Sequence, residues 1–173
     1  RCSTRNGTSS GVSRVRRYPR VLARSQCLPA LACAHAARNA GSHEGATVPQ
    51  TGAFNARGQA EPRWLRKVPS LGPKGIARLN GLWTRRLESA ESIADSYEAI
   101  VQELEQSGRL DSTLIIVTSD NGYHAGARRL PTGKQTPFQE DSVVPTVLIG
   151  PGIPKGQVID RMTSTIDLGP TIA

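Results

Sequence analysis

The chain has 173 residues, enough for one ordinary domain with a real core, and a formal net charge of +8. That charge is concentrated at one end: residues 1–45 hold eight Arg against one Glu, whereas residues 46–173 hold 14 Lys and Arg against 13 Asp and Glu. The remainder is nearly neutral, which argues against nucleic-acid binding by the body of the chain, and no apolar run is long enough to span a bilayer.

Residues 1–45 are dominated by Arg, Ser, Ala and Gly and hold no helical or strand period. They read as a disordered basic extension or a misplaced start. A polyanion-binding tail and an Arg-rich mitochondrial-type presequence remain alternatives. All three cysteines, Cys2, Cys27 and Cys33, lie in this tract. Their odd number and spacing match no zinc motif and leave the redox compartment open. A second segment, 46–173, is expected to be the folded part. It begins with a Pro- and Gly-rich stretch to residue 75, expected to pack on the body through Phe54 and Trp64.

From Ile76 the apolar residues recur at three and four positions: Leu79, Trp83, Leu87, Ala90, Ala94, Tyr97, Val101 and Leu104. This predicts an amphipathic helix, with Arg85, Arg86, Glu88, Glu91, Glu98 and Glu105 mostly on its outer face. Ser107-Gly108 predicts its end, with Gly108 as a left-handed cap. The run Thr113-Leu114-Ile115-Ile116-Val117-Thr118 is short, β-branched and unbroken, as in a strand buried on both faces. A second strand is predicted over 143–149, with Pro145 at an edge or at its start. A turn-rich break follows at 150–156, then a short strand over 158–162. Asp167 is the expected N-cap of a helix with Pro170 in its first turn, only a few residues before Ala173, which reads as truncation. The order of elements is α/β.

The chemistry concentrates in Ser119-Asp120-Asn121-Gly122-Tyr123-His124, followed by Lys134. A carboxylate, an amide, an imidazole and an ammonium follow the carboxyl end of a predicted core strand, where open α/β sheets bind ligands. Asp120 and Asn121 offer hard oxygens and Lys134 a compact positive charge, a set suited to an oxyanion held against a divalent cation.

From about Phe54 to Ala173 the chain resembles the sulfatase family, in the branch of N-acetylglucosamine-6-sulfatases and arylsulfatases. The likeness rests on short motifs in one order: Phe54-Asn55, Pro62-Arg63-Trp64, Ser107 to Asp111, Thr118 to His124, Leu130 to Lys134, Glu140-Asp141, Val144-Pro145, Gly150-Pro151-Gly152 and Ile166 to Thr171. It implies part of an alkaline-phosphatase-like α/β sheet flanked by helices, and hydrolysis of sulfate esters of sugars or aryl alcohols. By position, Asp120 and Asn121 resemble two ligands of a calcium ion, Lys134 resembles the lysine that contacts the sulfate, and His124 is a candidate substrate contact. A secreted or lysosomal/vacuolar location is implied as well.

The departures matter too. Arg128 stands where the family often has histidine, next to Arg129. These two arginines are expected on a solvated loop face, with an anionic sugar as the alternative. Ala94-Asp95-Ser96 keeps one acid of a usual pair, read as structural. The family's formylglycine arises in a C/S-x-P-x-R motif. Cys27-Leu28-Pro29-Ala30-Leu31 has Leu in place of the Arg that would neutralise developing charge. It also lies only 93 residues before Asp120, closer than the family places its nucleophile. No pair of adjacent acids and no Pro-His-x-Pro element occurs in residues 1–60. The expectation is therefore a piece of a catalytic domain with no complete catalytic set, inactive alone. The alternatives are a non-catalytic subunit that binds an anion or a complementary polypeptide, and a phosphoester or phosphonate hydrolase of the same superfamily.

Overall fold

The computed structural model describes residues 35–172. Cys27 and most of the expected basic extension lie outside the described residues. The chain divides into two units. Among the described residues, one comprises 35–99 and Asn121–Val144; the other comprises Ile100–Asp120 and 145–172. Helix α1 spans Arg63–Arg66 and helix α2 spans Pro73–Gln106. Strand β1 is Ile115–Thr118, helix α3 Gln139–Ser142, strand β2 Thr146–Ile149 and helix α4 Leu168–Ile172.

In the first unit the core is small and apolar: Val48, Leu65, Leu79, Leu82 and Ala127 are its buried hydrophobic residues. Leu79 and Leu82 come from the predicted stripe of α2. The acids expected on the outer face of α2 behave differently. Glu88 is buried, and together with Glu91, Ser92 and Asp95 it holds residues 35–45 against the helix. Gly41 N donates to Glu88 Oε1 at 2.8 Å, and Ser42 Oγ to Glu91 Oε2 at 2.7 Å. Arg38 and Asn39 both donate to Asp95 Oδ2. Those bonds, that of Asn39 first, hold the Asp95 carboxyl below its ordinary value. Within the stretch expected to be a disordered extension, residues 35–45 thus form an ordered turn with a 3-10 segment at Ala37–Asn39. The contacts that order it are polar, so hydrophobic periodicity carries no trace of them.

Arg129 occupies the middle of this unit with 0% of its surface exposed. Its guanidinium donates to both oxygens of Glu61, at 2.8 and 2.7 Å, and to the carbonyls of Ala56 and Leu65; its Nε donates to the carbonyl of Val68. The expectation of a solvated Arg129 is therefore corrected. A planar fork of donors satisfies three carbonyls and one carboxylate that irregular backbone would otherwise bury unpaired. Glu61, hydrogen-bonded by Arg129 and by Gly58 N, has its carboxyl lowered from 4.5 to about 2. The Arg129 guanidinium is pushed above its usual value by the same bond.

The second unit is built on two strands. β1 pairs antiparallel with β2 in the register Ile115↔Ile149, Ile116↔Leu148, Val117↔Val147 and Thr118↔Thr146. The two threonine hydroxyls at its end lie 2.9 Å apart. The predicted strand at 113–118 exists but starts later and is not buried on both faces: Val117 is 44% exposed and Val147 50%. A two-stranded ribbon has no second layer among the described residues to cover it. Residues 158–162 form no strand in the structure, and Val158, Ile159 and Met162 are exposed. Before α4, a 3-10 turn at Thr165–Asp167 carries a capping box in which Ser164 is the N-cap and Asp167 bonds back to Ser164 N at 2.8 Å. Asp167 thus stands at the N3 position of the box rather than at its cap. Gly108 ends α2 at φ +66°, as expected of a left-handed cap. No helix among the described residues is long and apolar enough to cross a membrane.

Candidate functional site

The loop after Asn121 returns to α3 at close range. Gly122 N donates to Asp141 O at 2.7 Å, and a Cβ at Gly122 would collide with the Glu140 carbonyl. Only glycine allows this approach. The contact fixes where the loop leaves α3, and the next bond, His124 N to Gly133 O at 3.2 Å, folds it back on itself.

His124 is only 5% exposed. Its Nδ1 lies 3.2 Å from Asp141 Oδ1, itself buried without an aligned hydrogen bond. The other carboxylate oxygen, Oδ2, accepts from Thr136 N at 2.8 Å and from Thr136 Oγ1 at 2.9 Å. The carboxylate is therefore held by Thr136 and faces the ring of His124. A Cβ at Gly133 would lie 3.4 Å from His124 Cδ2 and 3.8 Å from Nε2, which turns the far edge of the ring toward the Gly133 backbone. Burial lowers the His124 pKa, an effect that Asp141 and then Glu140 oppose. Burial wins, so at neutral pH the ring is an uncharged imidazole that can give or take a proton.

His124 and Gly133 line a cavity of ≈ 360 Å³ with Trp64, Lys134, Gln135 and Thr136; Leu130 and Thr132 complete the wall. Of the four residues expected at the site, this cavity gathers His124 and Lys134. Asn121 precedes it in the same unit, its amide nitrogen donating to Gly122 O at 2.8 Å. Asp120 follows the end of β1 in the other unit and is exposed.

Two groups, one lining the cavity and one supporting its wall, have roles that the sequence does not reveal. Asp141 belongs to the Glu140-Asp141 pair, yet its contact with His124 spans 17 positions and leaves no periodic signal. Trp64 was expected to be a packing anchor. It is instead 48% exposed, its ring centroid 6.3 Å from that of Phe138. Arg128 stacks over the other partner of that pair, 4.4 Å from the Phe138 centroid, with its Nε 3.7 Å from Glu140 Oε2. The part-covered Arg128 thus serves loop packing, and the nearby Arg86 sits 3.5 Å over the ring of Tyr123.

Residues 31–173 match the family model described as Sulfatase. The chain belongs to the sulfatase family. It is 39% identical over 126 residues to "Sulfatase ppz1" of Metarhizium majus, covering 72% of this chain and 30% of that protein. It is 34% identical to "Extracellular sulfatase SULF-1 homolog" of Drosophila melanogaster, over 72% of this chain and 11% of that protein. It is 37% identical to the human N-acetylglucosamine-6-sulfatase, over 72% of this chain and 23% of that enzyme. The chain therefore spans less than a third of the length of these relatives. No solved structure matches it. The family carries an alkaline-phosphatase-like α/β fold, to which this sulfatase chain contributes the helices and the two-stranded sheet described above.

The sequence resemblance implies a calcium ion at Asp120 and Asn121, and the donors can be tested against that expectation. Calcium takes about six to eight oxygen ligands. Asp120 and Asn121 supply two side chains, and no group of three or more His, Cys, Asp or Glu that could hold a metal occurs among the described residues. Two donors of the right hardness are present, but the described residues do not make a complete site for calcium.

Proposed function

We propose that this chain forms part of a sulfuric ester hydrolase, in which Lys134 holds the sulfate of a sulfated sugar or aryl ester and His124 lines the same pocket. The observation that carries the reading is the meeting of an ammonium and a buried, uncharged imidazole in one cavity of a family-matched segment. Lys134 would attract the sulfate as a point charge. His124, steadied by Asp141 and Thr136, would offer a hydrogen bond to a sulfate or ester oxygen. It would gain no charge of its own at neutral pH, so charge recognition would fall to Lys134. Asp120 and Asn121 are proposed as two oxygen donors toward a divalent cation, calcium by family. Since the described residues do not complete that site and hold no formylglycine motif, no catalytic step is routed through it, and the isolated chain is expected to be inactive. A secreted or lysosomal setting is proposed on the likeness to a relative named as extracellular.

The test is binding first and turnover second. Inorganic sulfate titrated into the 173-residue chain should shift the NMR signals of His124 and Gly133, and Lys134→Ala should remove that response. An aryl sulfate with added calcium should remain intact. Calcium-dependent hydrolysis by the chain alone would refute the inactive reading, and an unchanged sulfate response in Lys134→Ala would refute the site. A second reading, a sulfatase-like subunit that docks a complementary polypeptide, is favoured by the uncovered faces of Val117 and Val147. Co-purification with a chain that carries an intact C-x-P-x-R motif would support it.

A further inference from the structure

Two apolar residues line the cavity that anion binding does not use, Leu130 and Trp64, and of these only Trp64 carries a large ring. An isolated exposed hydrophobic residue needs no explanation, but Trp64 lines the same cavity as Lys134 and His124. It is also held in place. Its neighbour Leu65 is fully buried, and the Leu65 carbonyl accepts from Arg129 Nη2 at 2.9 Å. On its other side the ring meets Phe138, which is stacked in turn by Arg128. A large ring, nearly half exposed yet set between a buried neighbour in the chain and the Phe138 ring, is already organised to receive a flat apolar surface.

We infer that Trp64 is the platform on which the sugar ring of a sulfated substrate lies while Lys134 holds its sulfate, a positioning role for Trp64 that rests on the sulfate reading above. A pyranose presents C–H bonds on its faces and hydroxyls around its rim. The C–H face suits the electron-rich face of an indole. The rim suits Thr132 and Gln135, a hydroxyl and an amide residue that line the same cavity. A flat aryl ring would cover Trp64 equally well, yet it would leave those polar groups without partners once water is displaced. The volume of ≈ 360 Å³ is near the lower end of small-ligand pockets, about 300–1,000 Å³, and so fits one ring with its sulfate rather than an extended chain.

Four probes test this by calorimetry and NMR titration on the full 173-residue chain: N-acetylglucosamine 6-sulfate, the same sugar without sulfate, phenyl sulfate and inorganic sulfate. Trp64→Ala should weaken the sugar sulfate roughly tenfold, leave inorganic sulfate unchanged and affect phenyl sulfate less than the sugar. Trp64→Phe, which keeps a ring, should retain most of the affinity and guards against misfolding as the cause; the helical circular dichroism of both variants checks the fold. In Trp83→Phe, which leaves Trp64 as the one tryptophan, the sugar sulfate should shift the emission to the blue and inorganic sulfate should not. The platform is overturned if Trp64→Ala leaves the sugar sulfate unchanged, if it weakens inorganic sulfate equally, or if phenyl sulfate suffers the larger loss. If Lys134→Ala abolishes binding of inorganic sulfate while Trp64→Ala changes nothing, only the platform falls. If Lys134→Ala alters no probe, or no probe binds the parent chain, the sulfate reading falls and the platform with it.

Discussion

The two units hold themselves together in opposite ways. The unit with α1, α3, the cavity and α2 up to Ala99 includes long irregular stretches, and at the centre of these is a buried arginine whose five donor bonds reach four separate residues. The unit with β1 and β2 has regular backbone pairing but leaves the Val117–Val147 pair half exposed. Regularity and burial therefore separate here. The loop-rich part is the more tightly determined because each of its backbone carbonyls at Ala56, Leu65 and Val68 has a fixed donor. A pocket wall needs that rigidity more than it needs secondary structure.

The sharpest way to break this contrast is to remove Arg129. Arg129→Ala leaves Glu61 and three carbonyls without their donor, and the loss of one partner of a buried pair is among the larger single-residue effects. Thermal unfolding of the unit that contains it should begin roughly 10 °C lower. Binding of a sugar sulfate should weaken as well, since Leu65, the neighbour of Trp64, is bonded to that frame. An unchanged melting curve would show that the irregular unit is held by its apolar residues alone.

Next in size is Gly122→Ala. The new Cβ would meet the Glu140 carbonyl, so either the loop or α3 must move. Overpacking of this kind costs about 3 kcal/mol when backbone is the obstacle. The sharper readout is positional: the His124 signals should move with the displacement of Asp141, whereas Gly52→Ala, at a glycine with open space around it, should leave them in place.

Acid provides a smaller and graded probe of the same frame. Glu61 has a folded-state pKa of about 2 against an ordinary 4.5. As pH falls, the unfolded chain takes up this proton first. The stabilisation is therefore complete above pH 4.5 and is lost progressively between there and about 2. Urea midpoints measured across that window should fall with pH in the parent chain. The slope should flatten in Glu61→Gln, which cannot titrate. An equal slope in both would assign the acid sensitivity to other carboxylates.

What the sequence disclosed follows the same division. The apolar stripe of α2, its stop at Gly108 and both strands were legible because local periodicity and turn chemistry dictate them. The segment that carries His124 and Lys134 was legible as a motif. The burial of Arg129, the support of His124 by Asp141 and the docking of residues 35–45 on Glu88 and Asp95 were not. Each is a polar contact between distant positions, and a single sequence gives such pairs no period and no spacing rule. The burial of β1 was overread for a related reason. An unbroken β-branched run shows what a strand could bury, while coverage depends on neighbours the run does not encode.

The smallest effect is expected at Val147, and it decides whether the sheet is as bare as it stands among the described residues. Val147→Thr keeps the β-branched shape that suits a strand and removes one methyl from the cross-strand pair with Val117. Half of the valine surface already meets water, so little apolar burial is lost, and urea denaturation should register a change of about 0.5 kcal/mol or less. A loss above about 1.5 kcal/mol would match a buried apolar site rather than a surface one. It would mean that another layer covers this face in solution, and the contrast between a stapled loop unit and an open sheet would dissolve. A small loss leaves the contrast intact and makes this face the place to look for a complementary chain, because apolar area that contributes little to folding is still available to binding.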